Sequence, residues 1–184
     1  MRLGQRVIAV TAIFALALAT LCAADAARRL KKQDDAAPTP APGDKRDRVV
    51  TAPGTPFNGR AFWQAAAQCG GIYFRLNTLY SDAAISAKVI KPDPAAFTRL
   101  SKEAEGASVN ATTFFDVSER FLVADRKLAR EDAVVTSDTV AHTAGDRFKS
   151  VEAALQAAKP CPDLYKICRG AFPQVCNDTS ALTN

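Results

Sequence analysis

The sequence predicts an all-α domain: an antiparallel bundle of three main helices, followed by a short C-terminal helix and braced by disulfides. Apolar residues recur every three or four positions over long stretches, which is the spacing of one face of a helix. No segment shows the sustained alternation of apolar and polar residues that is typical of strands. Beyond residue 26 the chain has four cysteines. This even set favours two disulfides in an oxidising compartment.

The first 26 residues have the layout of a secretory signal peptide. Two arginines give a basic start, and residues 7–22 form an uncharged, mainly apolar run. This run has about 16 residues, fewer than the roughly 20 that span a bilayer as a helix. We expect cleavage after Ala26, with Ala24 as the alternative, and a mature chain without a membrane span in the bacterial periplasm or outside the cell. An uncleaved N-terminal anchor is the competing interpretation.

Residues 27–57 predict a disordered linker, because five of the ten prolines lie there and large apolar residues are scarce. The linker has seven basic and four acidic residues, a net charge of +3. Residues 58–184, the predicted helical domain, have 15 basic and 14 acidic residues. The domain is therefore not expected to bind nucleic acid. We interpret the linker as a solvated spacer, with a cationic tether to an anionic envelope surface as the alternative.

The first helix is predicted from Asn58 or Gly59 to about Ser81-Asp82. Its apolar stripe follows helical spacing and consists of Phe62, Ala66, Cys69, Tyr73, Leu76 and Tyr80. Gly70-Gly71 conflicts with a helix, since each glycine costs about 1 kcal/mol relative to alanine. We interpret the two glycines as allowing another segment to approach closely, with a helix break at Gly70 as the alternative. Residues 82–92 are predicted to form a connection with room for one extra turn.

The second helix is predicted to begin at Asp93-Pro94, because Asp is a preferred N-cap and Pro suits the first helical position. Its apolar stripe continues to Leu128, and we expect an end near Asp132. A break between Gly106 and Asn110 is the alternative. The spacing of Asp116 and Arg120 on this helix is that of a surface ion pair.

The third helix is predicted from a cap at Ser137 or Asp138 to a stop at Lys159-Pro160. A more continuous join to the second helix through residues 133–136 is the alternative. Asp163 to Gly170 predicts a short fourth helix. The tail after it is expected to be irregular and held by Cys176.

The cysteines predict a long covalent loop. They are Cys69, Cys161, Cys168 and Cys176, and only Cys69 lies outside the C-terminal segment. Cys69 therefore needs a partner in that segment, although the sequence does not determine which of the three possible pairings of the four cysteines forms. Such a bond closes a loop of 92 to 107 residues, which contributes about 4 to 5 kcal/mol in the chain-entropy model. The spacings lack the paired cysteines of common zinc sites.

No catalytic constellation is found in the sequence. His142 is the only histidine and no nucleophile motif surrounds it, so we interpret it as a solvated or capping residue rather than a base. The haem attachment motif and the Glu-x-x-His pair of di-iron sites are both missing. We therefore expect no cofactor and no metal. The acidic pairs are interpreted as solvated; they are Glu103/Glu105, Asp116/Glu119 and Glu131/Asp132.

Aromatic residues are concentrated on the first helix. Core packing explains most of them, but they lie on more than one face, so some are predicted to line a groove or an interaction surface. They are Phe62, Trp63, Tyr73 and Phe74. We therefore expect a non-enzymatic protein that binds or scaffolds another macromolecule, an envelope protein or another envelope component. The oligomeric state stays open. A carrier that holds a small apolar ligand inside the helical bundle is the alternative.

Overall fold

The computed structural model describes residues 45–177. In this range the chain forms five helices and one further helical turn, and no strand. They are α1 (Phe62–Val89), α2 (Pro94–Arg126), α3 (Arg130–Gly145), α4 (Val151–Ala158), α5 (Cys161–Ala171) and the turn α6 (Pro173–Cys176). The predicted all-α class is confirmed for these residues. The predicted signal peptide and residues 27–44 of the predicted linker lie outside the described range.

α1 is longer than predicted and passes through Gly70-Gly71 without a break. It continues to Val89, so the predicted end near Ser81-Asp82 is wrong, and so is the connection predicted over the following residues. The physical reason is that residues 82–91 contain three alanines and no glycine or proline, so nothing there stops a helix. Pro92 follows directly and prevents further extension.

α2 begins as predicted. The Asp93 carboxylate accepts a hydrogen bond from the backbone N–H of Ala96 at 2.9 Å, and Pro94 occupies the first turn. The helix is unbroken for 33 residues and ends at Arg126, earlier than predicted. Lys127 there adopts a left-handed backbone conformation with φ of 58°. This residue turns the chain directly into α3.

The predicted third helix is two helices in the structure. α3 already begins at Arg130, and Ser137 is buried within it, so the predicted cap at Ser137 or Asp138 is wrong. α3 ends at Gly145, and α4 begins after Ser150, whose hydroxyl accepts a hydrogen bond from the backbone N–H of Ala153 at 3.3 Å. A serine with its side chain on this N–H is a typical helix cap, which explains the new start.

α1 and α2 pack against each other in opposite directions. The Ser118 hydroxyl of α2 donates to the backbone carbonyl of Trp63 near the start of α1 at 2.9 Å. Asn77, further along α1, donates to the carbonyl of Ala104, nearer the start of α2, at 2.9 Å. α3 contacts both of these helices, and α4 contacts α1.

The close approach predicted at Gly70-Gly71 is confirmed. A methyl group added at Gly70 would lie 2.8 Å from the ring of Phe115. A methyl group at Gly71 would overlap the backbone carbonyl of Ala141 in α3. Gly145, at the end of α3, faces the carbonyl of Gly71 in turn. Glycine thus lets the backbones of α1 and α3 touch at this crossing.

Residues 45–61, which we call the strap, are ordered and packed against the helices. This corrects the prediction of a disordered linker for residues 45–57. Val50 and Phe57 are buried in the main core, and Asp47 is buried beside Arg126 and Trp63. The strap has few large apolar residues, yet it is ordered because two of them enter the core and its charged groups find partners on α2.

Two disulfides connect the C-terminal part of the chain. Cys69 of α1 bonds Cys161 at the start of α5; their Cα atoms are 5.8 Å apart, and the two residues are 92 positions apart in sequence. Cys168 of α5 bonds Cys176 of α6. This arrangement agrees with the prediction that Cys69 pairs with the C-terminal segment. All four cysteines lie in the main core.

Candidate functional site

Phe62 and Trp63, two of the four aromatic residues predicted to form an interaction surface, are buried in the core. Phe62 is 1% exposed and stacks on Phe121 with ring centroids 5.1 Å apart. Trp63 is 4% exposed, and its indole N–H donates to the Asp47 carboxylate at 3.2 Å. The prediction is wrong for both residues. They are covered by the strap and by the end of α2, and local sequence does not reveal that contact.

The other two residues differ in exposure. Tyr73 is partly buried and stacks on Phe114, with ring centroids 5.8 Å apart, and burial raises the pKa of its hydroxyl. Phe74 is 50% exposed and contacts the ring of His142 edge to face, with centroids 6.2 Å apart. Of the four predicted residues, Phe74 alone presents a large exposed surface.

Phe74 belongs to a longer exposed face of α1, which we call the α1 stripe. It consists of the exposed residues Phe74, Ile85 and Val89 and the partly buried residues Thr78 and Ser81. At 100° per residue these five positions lie within an arc of about 80° and extend over roughly 22 Å. Ile85 is 60% exposed and Val89 is 69% exposed. Ile85 and Val89 lie one helical turn apart, so they form a contiguous exposed aliphatic surface of the kind that often marks an interaction site.

Beyond Phe74, which contacts His142 of α3, the α1 stripe is uncovered because α3 ends. Gly71, where the backbone of α3 touches α1, lies on the same face of α1 as the stripe. α3 ends at Gly145, close to this crossing, so the face continues without a neighbour. α4 packs on the opposite side of α1, where Ile72 and Leu76 form a second core cluster with Ala154.

Ile85 and Val89 were missed in the sequence because they fell in the predicted connection. The spacing of these residues could have indicated the face, since Ile85 and Val89 are four positions apart and follow Phe74 by 11 and 15 positions. These separations keep one helix face if the helix is continued. Ile90, 72% exposed, follows directly after the helix and enlarges the apolar surface at this end.

A second surface feature is a groove of 350 Å³ between α2, the start of α3 and α6. It is lined by Asp116, Glu119, Arg120, Val123, Ala124, Arg130, Gln174 and Val175. Arg120 forms the predicted ion pair with Asp116 at 3.0 Å and donates to the carbonyl of Val175 at 3.2 Å. Burial, and then the charge of Asp116, raises the pKa of the Glu119 carboxyl.

The groove holds two carboxylates and two guanidinium groups, so its charges largely compensate one another. The guanidinium of Arg120 donates to Asp116 on α2 and to the carbonyl of Val175 on α6. Its Nε is buried without a hydrogen-bond partner in the described part of the chain. This arrangement fixes the short α6 turn against α2. We therefore assign the groove a structural role.

His142 is exposed at the side of α3, and its contact in the described range is the ring of Phe74. Within residues 45–177 no three His, Cys, Asp or Glu side chains are arranged to hold a metal ion. None of the helices described is both long and apolar enough to cross a membrane. Comparison with protein-family models, with curated proteins and with solved structures finds no match to this chain.

Proposed function

We propose that this protein is an exported, non-enzymatic interaction module in the bacterial cell envelope. In this proposal α1, α2 and α3 form a disulfide-braced antiparallel bundle that binds a macromolecular partner through the α1 stripe. The observation that carries the proposal is the exposure of Ile85 and Val89, 60% and 69%, on an ordered helix in register with Phe74. A helix face of this kind fits a helix or groove of a partner, which would remove the aliphatic side chains from water.

Export is supported by two independent features. The N-terminal residues have the layout of a signal peptide. The four cysteines of the described range are paired and buried, and such pairs persist in oxidising compartments. Neither feature depends on the α1 stripe, so export of the protein and binding through the stripe can be tested separately.

A non-enzymatic role is supported by the surroundings of His142. A catalytic base needs a hydroxyl, thiol or water that it can deprotonate, and a group that orients the imidazole. In the described part of the chain, His142 lies against the aromatic ring of Phe74 instead. His142 and Phe74 together extend the apolar surface of the α1 stripe onto α3.

The alternative of a carrier for a small apolar ligand draws less support from the structure. Such a ligand needs an enclosed apolar cavity. The groove of 350 Å³ has four charged residues among its eight lining residues, and it is open to solvent. The exposed aliphatic face of α1 therefore remains the better explanation for a binding role.

The experiment is site-specific photocrosslinking in cells that export the protein. A photoreactive amino acid replaces Ile85 in one variant and Val109, 62% exposed on α2, in the control. We expect a discrete crosslinked product from position 85 and none from position 109. The product should disappear when Val89→Asp is added to the position-85 variant. Equal labelling from both positions, or none from position 85, would overturn the proposal.

A further inference from the structure

We propose that the end of the hairpin formed by α1 and α2 binds the surface of a membrane that contains anionic lipids. This hairpin end consists of residues 86–99, which include the last turn of α1, the connection and the start of α2. The inference goes beyond the proposed function, since it concerns the end of the hairpin and not the side of α1. Val89 is the one residue that the hairpin end shares with the α1 stripe.

The hairpin end is ordered, yet the rest of the described chain does not cover it. The backbone N–H groups of Lys91 and Asp93 donate to carbonyls in the last turn of α1, at 3.1 and 2.8 Å, and so close the connection. None of residues 86–99 is buried. The core cluster that α1 shares with α4 reaches no further along α1 than Tyr80. The hairpin end therefore projects beyond this cluster as a fixed structure.

Two large aliphatic side chains lie at the hairpin end. Val89 is 69% exposed and Ile90 is 72% exposed. Ile90 keeps a helical backbone conformation, so its side chain stands about 100° round the helix axis from that of Val89. A partner that packs along one face of α1 covers one of these side chains and leaves the other in water. A surface that the hairpin enters end on covers both.

The hairpin end is also basic. Residues 86–99 contain Lys88, Lys91 and Arg99, all exposed, and one acidic residue, so their net charge is +2. Residues 100–152 contain seven basic and ten acidic residues, a net charge of −3. Positive charge is therefore concentrated beside the two exposed aliphatic side chains, and it favours an anionic surface as their partner.

The three basic groups are available to anions from outside the protein. Within residues 45–177 none of them forms an ion pair. The ammonium group of Lys88 lies 5.3 Å from the ring centre of Phe97 and stays exposed. The one acidic residue, Asp93, accepts the N–H of Ala96 as the cap of α2, at the positive end of the helix dipole. Its charge is therefore compensated within the hairpin.

The positions of these groups match the depth of a contact with a lipid surface. The two lysines directly flank Val89 and Ile90 in the sequence, and Arg99 lies five residues after the start of α2, about 8 Å along its axis. Interfacial helices bury their apolar side chains about 5 to 10 Å into the boundary of headgroups and acyl chains. At this depth the basic side chains lie among the lipid phosphates, where each strengthens binding about fivefold. A nucleic acid would attract the same charges but would leave the aliphatic side chains in water.

The test is co-sedimentation of the purified, oxidised protein with lipid vesicles. We expect it to bind vesicles made of phosphatidylglycerol and phosphatidylcholine in equal parts. Binding to vesicles of phosphatidylcholine alone should be about tenfold weaker or more, because the attraction of the basic side chains is lost. High salt should weaken binding to the anionic vesicles, since the charges are exposed. Equal binding to both kinds of vesicle, or binding to neither, would overturn the inference.

A charge reversal tests whether the hairpin end makes the contact. Lys91→Glu should weaken binding to the anionic vesicles by about tenfold or more. Lys159→Glu is the control, since it changes the net charge equally at another exposed residue. The Cys69–Cys161 bond keeps Lys159 near a point on α1 about 30 Å from the hairpin end, so its reversal should have little effect. Equal losses from both variants would contradict binding through the hairpin end.

A second pair of variants tests the apolar contact. Ile90→Ser should weaken binding by about fivefold or more, because a large aliphatic side chain no longer leaves water. Val109→Ser, at a residue of α2 that is 62% exposed, should leave binding unchanged. Circular dichroism of each variant verifies that the helices are intact. An Ile90→Ser variant that binds as well as the unmodified protein would contradict entry of the hairpin end into the lipid surface.

The outcomes separate this inference from the proposed function. A photoreactive amino acid at position 90 should label lipid in cells, and a discrete protein product from this position would overturn the inference. A protein product from position 85 without vesicle binding would overturn the inference and leave the proposed function standing. Vesicle binding that is lost in Ile90→Ser, without a protein product from position 85, would support the inference and overturn the proposed function.

Discussion

The guanidinium group of Arg126 donates two hydrogen bonds to the carboxylate of Asp47, at 2.8 and 2.7 Å, across 79 residues of sequence. The same carboxylate accepts from the indole N–H of Trp63 at 3.2 Å, and Arg126 lies over the Trp63 ring. Arg48, next in the chain, pairs with Asp125: its guanidinium donates to Oδ1 and its backbone N–H donates to Oδ2. These contacts bind the strap where α1 begins and α2 ends.

Removal of the Asp47 carboxylate should destabilise the protein. The Asp47 side chain is fully buried, and Asp47→Ala would remove the acceptor of two hydrogen bonds from Arg126 and of one from the Trp63 indole, at a cost of about 3 kcal/mol. The free energy of unfolding in urea measures this loss. Asp163→Ala is the control, since its pair with Lys166 is exposed and should be worth less than about 1 kcal/mol. Equal losses from both variants would contradict the prediction.

The two helical glycines Gly71 and Gly106 should respond in opposite ways to alanine. Gly71→Ala places a methyl group on the carbonyl of Ala141, which pushes α3 away and should lower the thermal midpoint. Nothing lies near a methyl group at Gly106, so Gly106→Ala should stabilise the protein by up to about 1 kcal/mol. Thermal melts of the two variants measure this. A change of the thermal midpoint in the same direction for both variants would count against the described contact between α1 and α3.

The two disulfides should differ in their contribution to stability. In the chain-entropy model the Cys69–Cys161 bond, with its separation of 92 residues, contributes about 4.6 kcal/mol. The Cys168–Cys176 bond, with a separation of eight, contributes about 2.5 kcal/mol. Replacing each pair by alanines and measuring denaturant unfolding tests this order. A larger loss from the shorter loop would show that native packing, not loop closure, dominates.

Glu119 should make stability depend on pH. Burial, with the charge of Asp116, raises the pKa of its carboxyl, so its ionised form is penalised in the folded state. The penalty is present above the raised pKa and is relieved as the pH falls through it. Glu119→Gln should therefore raise the thermal midpoint at pH 7, and the difference should vanish towards pH 4. Melts at several pH values measure it, and a constant difference would contradict the assignment.

The fold class and several helix boundaries could be predicted because their signals are local. Asp93 and Pro94 mark the start of α2 by their own chemistry, and Cys69 needs a partner in the only other segment with cysteines. The strap could not be predicted, because its order depends on the contact between Asp47 and Arg126. No local pattern shows a partner 79 residues away.

The candidate site was predicted only at Phe74. Ile85 and Val89 were missed because the sequence between Ser81 and Pro92 has no strong helix signal, although it contains nothing that stops a helix. Phe62 lies on the predicted apolar stripe and Trp63 lies beside it. Their complete burial depends on contacts with Phe121 and Asp47, which no local pattern shows. The errors at the site thus follow from errors in the fold around it.

The attachment of the strap also separates its contacts from the exposed end of α1. α1 has 28 residues and is therefore about 42 Å long. The strap is held where α1 begins, while Val89 lies at the other end of the same uninterrupted helix. A substitution that releases the strap, such as Asp47→Ala, therefore acts about 40 Å from Val89, so it should leave the exposed side chains at that end of α1 in place.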